Sequence, residues 1–370
     1  MAGHIYCHIP FCAAKCPYCD FYSEAGRDKS VIQNVFSAMR DEIRQTENDD
    51  RIETIYIGGG TPSIADSRMI VFLLDSIRDS YSVRHNAEIT IEVNPSSLTL
   101  DKAREYLDAG INRVSVGVQS FHDEHLKTLG RLHDADKAVK CINELREAGF
   151  DNISADLMIA LPGQRLSDAI EDLRRLATLG VKHISTYSLS IEKGTPFYRR
   201  YHETIEDLVP PEKEREMYHM VREELKGLGY IPYEISNSCI PGYESRHNSS
   251  YWEGEEYLGI GPGAHGYADG RRYMHQDSID SYIKDPLSTE TEEMLDNEAK
   301  MHEYPYLKLR TSEGVNTEVF RSKFGHDLEE VYGEVIEANI RDGLLVKDGD
   351  FVRLTRRGID WSNKVFSEFL

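Results

Sequence analysis

The sequence predicts an α/β fold: a partial TIM-like (β/α)6 barrel of parallel strands, then a small C-terminal α+β domain of winged-helix type. Two features of residues 1–235 carry the barrel, namely six short runs rich in β-branched residues and the amphipathic stretches between them. Period-two runs alternating with helical spacing build parallel βα units. The third feature lies near the end, where helical text gives way to a "LLVKDGDFVRLT" hairpin and a last helix.

In chain order the expected strands are "HIYCHI", "TIYIGG", "EITIEVN", "RVSVGVQ", "NISADLM" and "HISTYSL". The helical stretches "ADKAVKCINELREAG" and "SDAIEDLRRLATLG" both end in Gly, the residue that most readily takes the left-handed turn after a helix. "MIVFLL" at 69–74 reads as part of a buried helix and falls far short of the ~20 residues a membrane span needs. Residues 236–290 are rich in Gly, Tyr, Asn and Ser and show little periodicity, so they read as a loop-rich connecting segment carrying an "HNSSYW" motif. Residues 291–370 form the expected C-terminal module, its hairpin closed by a "DGD" turn.

The composition excludes several classes. Of 370 residues, 40% are hydrophobic and 29% charged, which is ordinary for a globular protein. Acidic residues outnumber basic ones 64 to 43, giving a net charge of −21. Nucleic-acid binding needs the opposite balance, and none is expected. No signal-peptide pattern opens the chain, so a cytoplasmic location is expected, and contact with a membrane surface is left open. In a reducing compartment, clustered cysteines point to metal or redox chemistry rather than disulfides.

Three of the six cysteines, Cys12, Cys16 and Cys19, fall within "HIPFCAAKCPYCDF" after the first expected strand. Thiolates at this spacing suit iron–sulfur clusters and zinc alike. A closed site of either kind takes four ligands. The nearby candidates for a fourth are Cys7, His4 and His8, and strand alternation puts Cys7 on the opposite face from Tyr6 and His8. A three-thiol site therefore leaves one metal corner free.

The remaining polar motifs sit where a βα barrel keeps its functional groups, at the C-terminal ends of strands. "GGGTPS" (Gly58 to Ser63) follows the second strand, and its bare backbone can approach a ligand closely. Glu92 in "IEVNP", Gln119 in "GVQSF" and Asp156 in "SADLMIALPGQ" each lie near a strand end, and Arg131 follows Gln119 by twelve residues. Taken alone, Glu92 would pass as a surface salt-bridge partner. One polar residue at each successive strand end is a constellation.

These residues carry a resemblance. "CAAKCPYC" with "GGGTPS" resembles the radical S-adenosylmethionine superfamily, in which the amino and carboxylate groups of the cofactor complete the fourth iron of a [4Fe-4S] cluster. Over nearly its whole length the chain is similar to the oxygen-independent coproporphyrinogen III oxidase group, through "YIGGGTPS", "EVNP", "SVGVQSF", "GRLH", "DLMIALPGQ", "HNSSYW", "YLGIGPGAH" and "LTRRG". The resemblance implies a radical SAM barrel, with Cys12, Cys16 and Cys19 on the cluster. It implies an S-adenosylmethionine site lined by Tyr6, Tyr18, Gly59, Gly60, Thr61, Glu92, Gln119, Arg131, Asp156 and Ser190, the last matched by spacing alone. The implied chemistry is reductive cleavage of S-adenosylmethionine to an organic radical, fed by an electron donor such as flavodoxin or ferredoxin.

Within that group the oxidases carry one more cysteine two residues past the third, and this chain has Phe21 there. "CDF" together with "RHNSSYW" resembles the heme chaperone branch, whose members bind heme and pass it to an acceptor protein. Phe21 argues against the alternative, radical decarboxylation of coproporphyrinogen III to protoporphyrinogen IX. In "HNSSYW", His247 is the candidate heme ligand, and Tyr251 and Trp252 offer flat surfaces to a porphyrin. The competing reading makes His247 and Asn248 loop-stabilising hydrogen-bonders and packs Trp252 into a domain junction. His265 in "GPGAHGY" is a second histidine candidate. Relatives in this branch often carry cysteine where this chain has Ser245, and Cys239 lies eight residues before His247.

Overall fold

The computed structural model describes residues 2–370. Twelve strands of one sheet run in chain order as β1 His4–Ile9, β2 Arg51–Gly59, β3 Ser82–Val93, β4 Arg113–Gln119, β5 Ile153–Ile159, β6 His183–Ser188, β7 Ile231–Pro232, β8 Asn237–Cys239, β9 Tyr257–Ile260, β10 His265–Ala268, β11 Arg271–His275 and β12 Thr289–Met294. Their spatial order is β12-β11-β10-β9-β1-β2-β3-β4-β5-β6-β8-β7. All six expected strands are present, and neighbours from β1 to β6 pair in parallel.

The strands read as near-continuous apolar runs because helices and the opposite wall cover both faces. Ile55, Ile57, Ile91, Val114, Val116 and Ala155 are fully buried. Each buried aliphatic side chain of this kind contributes about 1.5–3 kcal/mol relative to exposure. The outer helices follow their sequence signals. Helix Ala135–Ala148 is capped by Asp134, whose side chain accepts from the Lys137 amide, and ends at Gly149 with φ 112°. Helix Ser67–Ser80 contains "MIVFLL" and buries Ile70, Leu73 and Leu74.

Residues 236–290 hold more regular structure than their composition suggests. They supply β8 to one end of the sheet and β9, β10 and β11 to the other, and β9 pairs parallel with β1. These strands are three to five residues long and interrupted by Gly and Pro, so no periodicity accumulates. Helix Arg246–Trp252 lies in the same stretch. Towards the C-terminus a second core gathers Tyr304, Phe320, Tyr332, Val352 and Phe369. Its hairpin pairs Leu345–Asp348 with Phe351–Leu354, and Val315–Asn316 adds a third strand. Among the described residues no helix is long and apolar enough to cross a membrane.

Candidate functional site

The chain leaves β1 at Ile9 and enters the cysteine loop. Buried Phe11 anchors the loop, and Phe11–Cys12 pairs with Glu24–Ala25 at its far end. A turn closed by the Cys19 amide on the Cys16 carbonyl (3.1 Å) follows. Cys12, Cys16 and Cys19 are half-buried free thiols. Cys7 is fully buried and faces the core, as strand alternation requires. His8 is buried too; its ring meets the Tyr6 hydroxyl at 3.0 Å and the Tyr22 carbonyl at 2.9 Å.

The glycine segment after β2 is strapped to this loop. The Gly60 amide donates to the Ile9 carbonyl (2.9 Å) and the Thr61 amide to the Phe11 carbonyl (2.8 Å). A Cβ on Gly60 would stand 2.7 Å from the Phe11 carbonyl oxygen, so only glycine allows this approach. Thr61 Oγ1 then lies 3.5 Å from Cys12 Sγ. From the other side Arg131 donates to Cys16 Sγ at 3.6 Å and to the Gly117 carbonyl at 2.7 Å. Gly130 brings it there: a Cβ on that residue would meet Pro17 Cδ at 2.5 Å. Tyr18, beside Arg131, packs on Phe197 with ring centroids 6.1 Å apart, and burial pushes its hydroxyl well above the usual tyrosine value.

Further into the barrel, Tyr56 donates to Glu92 Oε1 (2.8 Å) and the Gly59 amide reaches Glu92 Oε2 (3.3 Å). Burial raises the Glu92 carboxyl to about 7 despite both bonds. Asp156 accepts from Ser115 at 3.4 Å and is also raised, first by burial. Gln119 ends β4 at φ 67°, where the register with β5 slips; such strained positions cluster at functional sites. Ser190 is exposed in the loop after β6 and donates its hydroxyl to Glu192.

Two interior residues were not singled out in the sequence. Arg113 is only 2% exposed, its Nε is unpartnered, and its charge acts on Glu92, Asp156, His183 and His247. At the first position of a strand it reads as a surface residue; its burial comes from neighbours distant in the chain. Tyr56, in "TIYIGG", is hidden by its resemblance to any strand aromatic.

His247, the candidate heme ligand, lies in the interior. It is 1% exposed, with Nδ1 2.6 Å from Thr54 Oγ1 and Nε2 2.8 Å from the Tyr251 hydroxyl. Its ring stacks on Tyr56 at 5.1 Å, and burial lowers its pKa to about 3, so it is neutral with both nitrogens engaged. Both ring nitrogens are hydrogen-bonded within the protein, so binding of iron there would require the Thr54 or the Tyr251 contact to give way. Ser245 is the N-cap of the same helix, its Oγ accepting from the Asn248 amide at 3.3 Å, and Glu88 accepts the Arg246 and His247 amides. Trp252 lies under Arg310, 4.6 Å from its ring, at the junction with the C-terminal core. His265 opens β10, exposed, and Cys239 is buried in β8 with its thiol pushed up to about 12, chiefly by burial.

Comparison with known proteins follows this geometry. Residues 6–177 match the radical SAM superfamily, and residues 295–361 match the HemN C-terminal domain. A Lactococcus lactis protein named heme chaperone HemW is 36% identical over 99% of this chain and 96% of its own length. The Bacillus subtilis HemW is 35% identical over 99% of this chain and 98% of its length. The chain belongs to the HemW family. Among solved structures, the Escherichia coli coproporphyrinogen III oxidase HemN superposes with a TM-score of 0.85 over 99% of this chain and 89% of that protein. At 20% identity that likeness establishes the shared radical SAM fold, C-terminal domain included. The HemW family assignment thus rests on sequence along the whole chain, and the fold on both comparisons.

Proposed function

We propose that this chain is a heme chaperone that holds a [4Fe-4S] cluster and S-adenosylmethionine in its barrel mouth and hands heme to an acceptor protein. The observation that carries the proposal is end-to-end likeness, 36% identity over 99% of the chain, to a protein named for that role. Phe21 supports it, because this position offers an exposed apolar ring (68%) where the oxidase type has a further thiol.

The donor set fits the cluster: three soft, unpaired thiols on one loop, with the fourth sulfur nearby, Cys7, turned into the core. When bound, the cluster and S-adenosylmethionine supply one-electron reductive chemistry. The chain's own part is to hold and shield them. Cys12, Cys16 and Cys19 would hold iron. Arg131 places a fixed cation against the Cys16 sulfur, and its buried Nε has no protein partner, which leaves a donor for a ligand. Gly59, Gly60 and Thr61 would present backbone and hydroxyl groups, while Glu92 and Asp156 supply buried acceptors for hydroxyls. Tyr6 in β1, Tyr18 in the cysteine loop and Gln119 at the end of β4 would line the same site. Ser190, hydrogen-bonded to Glu192 in the exposed loop after β6, would complete the set. Phe11, Tyr18 and Phe197 wall off water. A small reductant protein such as flavodoxin or ferredoxin would supply the electron.

The test pairs two anaerobic challenges of the reconstituted protein. Hemin is expected to give a Soret band and to transfer to an apo heme protein, while coproporphyrinogen III is expected to stay unconverted. Formation of protoporphyrinogen, or no hemin binding at all, overturns the proposal.

A further inference from the structure

We infer that Arg113 is a positioning residue of the cofactor site: its fixed positive charge, one layer beneath Glu92 and Asp156, holds both side chains as carboxylates ready for S-adenosylmethionine. The inference rests on the cofactor reading above and adds to it a residue that acts through others.

Arg113 is a buried cation without a contact partner of opposite charge. It is 2% exposed, its Nε has no hydrogen-bond partner, and among the described residues no carboxylate lies within ion-pairing distance of it. A guanidinium keeps its proton, and taking it out of water is costly unless opposite charge compensates nearby. The strands place that compensation. Alternation puts Arg113 and Ser115 on one face of β4, where Ser115 donates to Asp156 at 3.4 Å. Register with β3 sets Thr90 opposite Arg113 and Glu92 opposite Ser115. Arg113 therefore stands two residues, about 7 Å along the strand, from a layer that holds both carboxyls. At that offset no contact is made, yet with little water between them the charge is weakly screened. It draws down Glu92 and Asp156 alike, against the burial that raises both.

The other ionisable groups facing this layer do not supply that charge. Burial holds His183 in β6 and His247 neutral. The phenols of Tyr6, Tyr56, Tyr187 and Tyr251 are all raised and carry no charge in the working range. Glu88, lower on β3, is taken up by the Arg246 and His247 amides. Arg131 also acts on Asp156, but it is held against the Cys16 sulfur and the Gly117 carbonyl. S-adenosylmethionine offers an ammonium group and two ribose hydroxyls, and ionised carboxylates accept from these more strongly than neutral carboxylic acids do.

Calorimetric titration of the cluster-loaded protein with S-adenosylmethionine, from pH 6 to pH 9, tests this on wild type, Arg113→Met and Arg113→Lys. Wild-type affinity is expected to rise with pH and level off as the carboxyls ionise. Arg113→Met should move that rise up by about one pH unit and weaken binding by about fivefold at pH 7, with affinity recovered towards pH 9. Arg113→Lys should keep the wild-type profile. A merely structural arginine would lower affinity equally at every pH; that result, or a methionine variant with the wild-type profile, overturns the inference and leaves the cofactor reading standing. A second measurement needs no change at Arg113. In wild type, the protonated-carboxyl infrared band that Glu92→Gln removes should be largely gone by pH 8, and its persistence there overturns the inference. If wild type binds no S-adenosylmethionine at any pH, the cofactor reading and this inference fall together.

Discussion

Tyr56 donates its hydroxyl proton to Glu92 across 2.8 Å, joining β2 to β3 inside the barrel, yet the carboxyl still sits at about 7. Burial outweighs the bond. The unfolded chain ionises this group near the ordinary 4.5, while the folded chain resists until about 7. The unfolded state therefore loses its proton first, and stability falls as pH rises from about 4.5 through about 7. At about 1.4 kcal/mol per unit the loss is on the order of 3 kcal/mol. Glu92→Gln keeps an acceptor for Tyr56 and removes the titration. Urea unfolding of the metal-free protein at pH 5 and pH 8 should show the variant gaining on wild type at the higher pH. Parallel behaviour of the two proteins would dismiss the buried-carboxyl account.

The contact of Arg131 with Cys16 Sγ at 3.6 Å predicts an electronic effect. Donors and positive charge at cluster sulfur stabilise the reduced form. In reconstituted protein, Arg131→Leu should retain iron and shift the cluster to a more negative potential in an EPR-monitored redox titration. Alanine at Cys12, Cys16 or Cys19 should abolish iron loading, whereas Cys239→Ala, in β8, should not. Normal iron content in a Cys16→Ala protein would remove that residue from the ligand set.

How much of this was legible in the sequence depends on range. The cysteine loop, the glycine turn and the six barrel strands announce themselves locally, through spacing, composition and period. Arg113 and Tyr56 did not, because their neighbours come from strands 23 to 43 residues away and only the assembled sheet brings these together. "HNSSYW" offers two readings, heme ligand and hydrogen-bonder, and the sequence does not show that His247 meets Thr54 and Tyr56, nearly two hundred residues earlier. The strands of residues 236–290 were missed for another reason: segments this short carry too few alternations to read.

Outside the cysteine loop, Glu42 on helix Lys29–Gln45 meets His275 Nε2 at 2.8 Å, accepts from the Gly261 amide at 3.2 Å and is hydrogen-bonded by Tyr282. Burial works against a charged His275, but the Glu42 carboxylate outweighs it and raises the imidazole above 6.5. Stabilisation from this pair is full below pH 6.5 and is lost as pH rises through the folded value. His275→Gln should flatten that slope in thermal melts. Glu42→Ala, which strands three partners, should cost about 3–5 kcal/mol in urea unfolding. A loss below 1 kcal/mol would mean that the pair is solvated.

His247 separates the two readings of the "HNSSYW" motif. Its ring joins Thr54 to Tyr251 and stacks on Tyr56, so replacing it should be felt by the fold. His247→Gln keeps polar atoms near both partners but loses the ring. The expected cost is about 1–3 kcal/mol of unfolding free energy, the range for disturbing buried hydrogen bonds. As the candidate heme ligand it should also carry hemin, so affinity is expected to fall by about tenfold or more, a difference of over ~1 kcal/mol. The two measurements separate the roles, since a structural residue moves the first and an iron ligand moves the second. If His247→Gln is destabilised but binds hemin with the affinity and Soret position of wild type, His247 is structural and not the ligand.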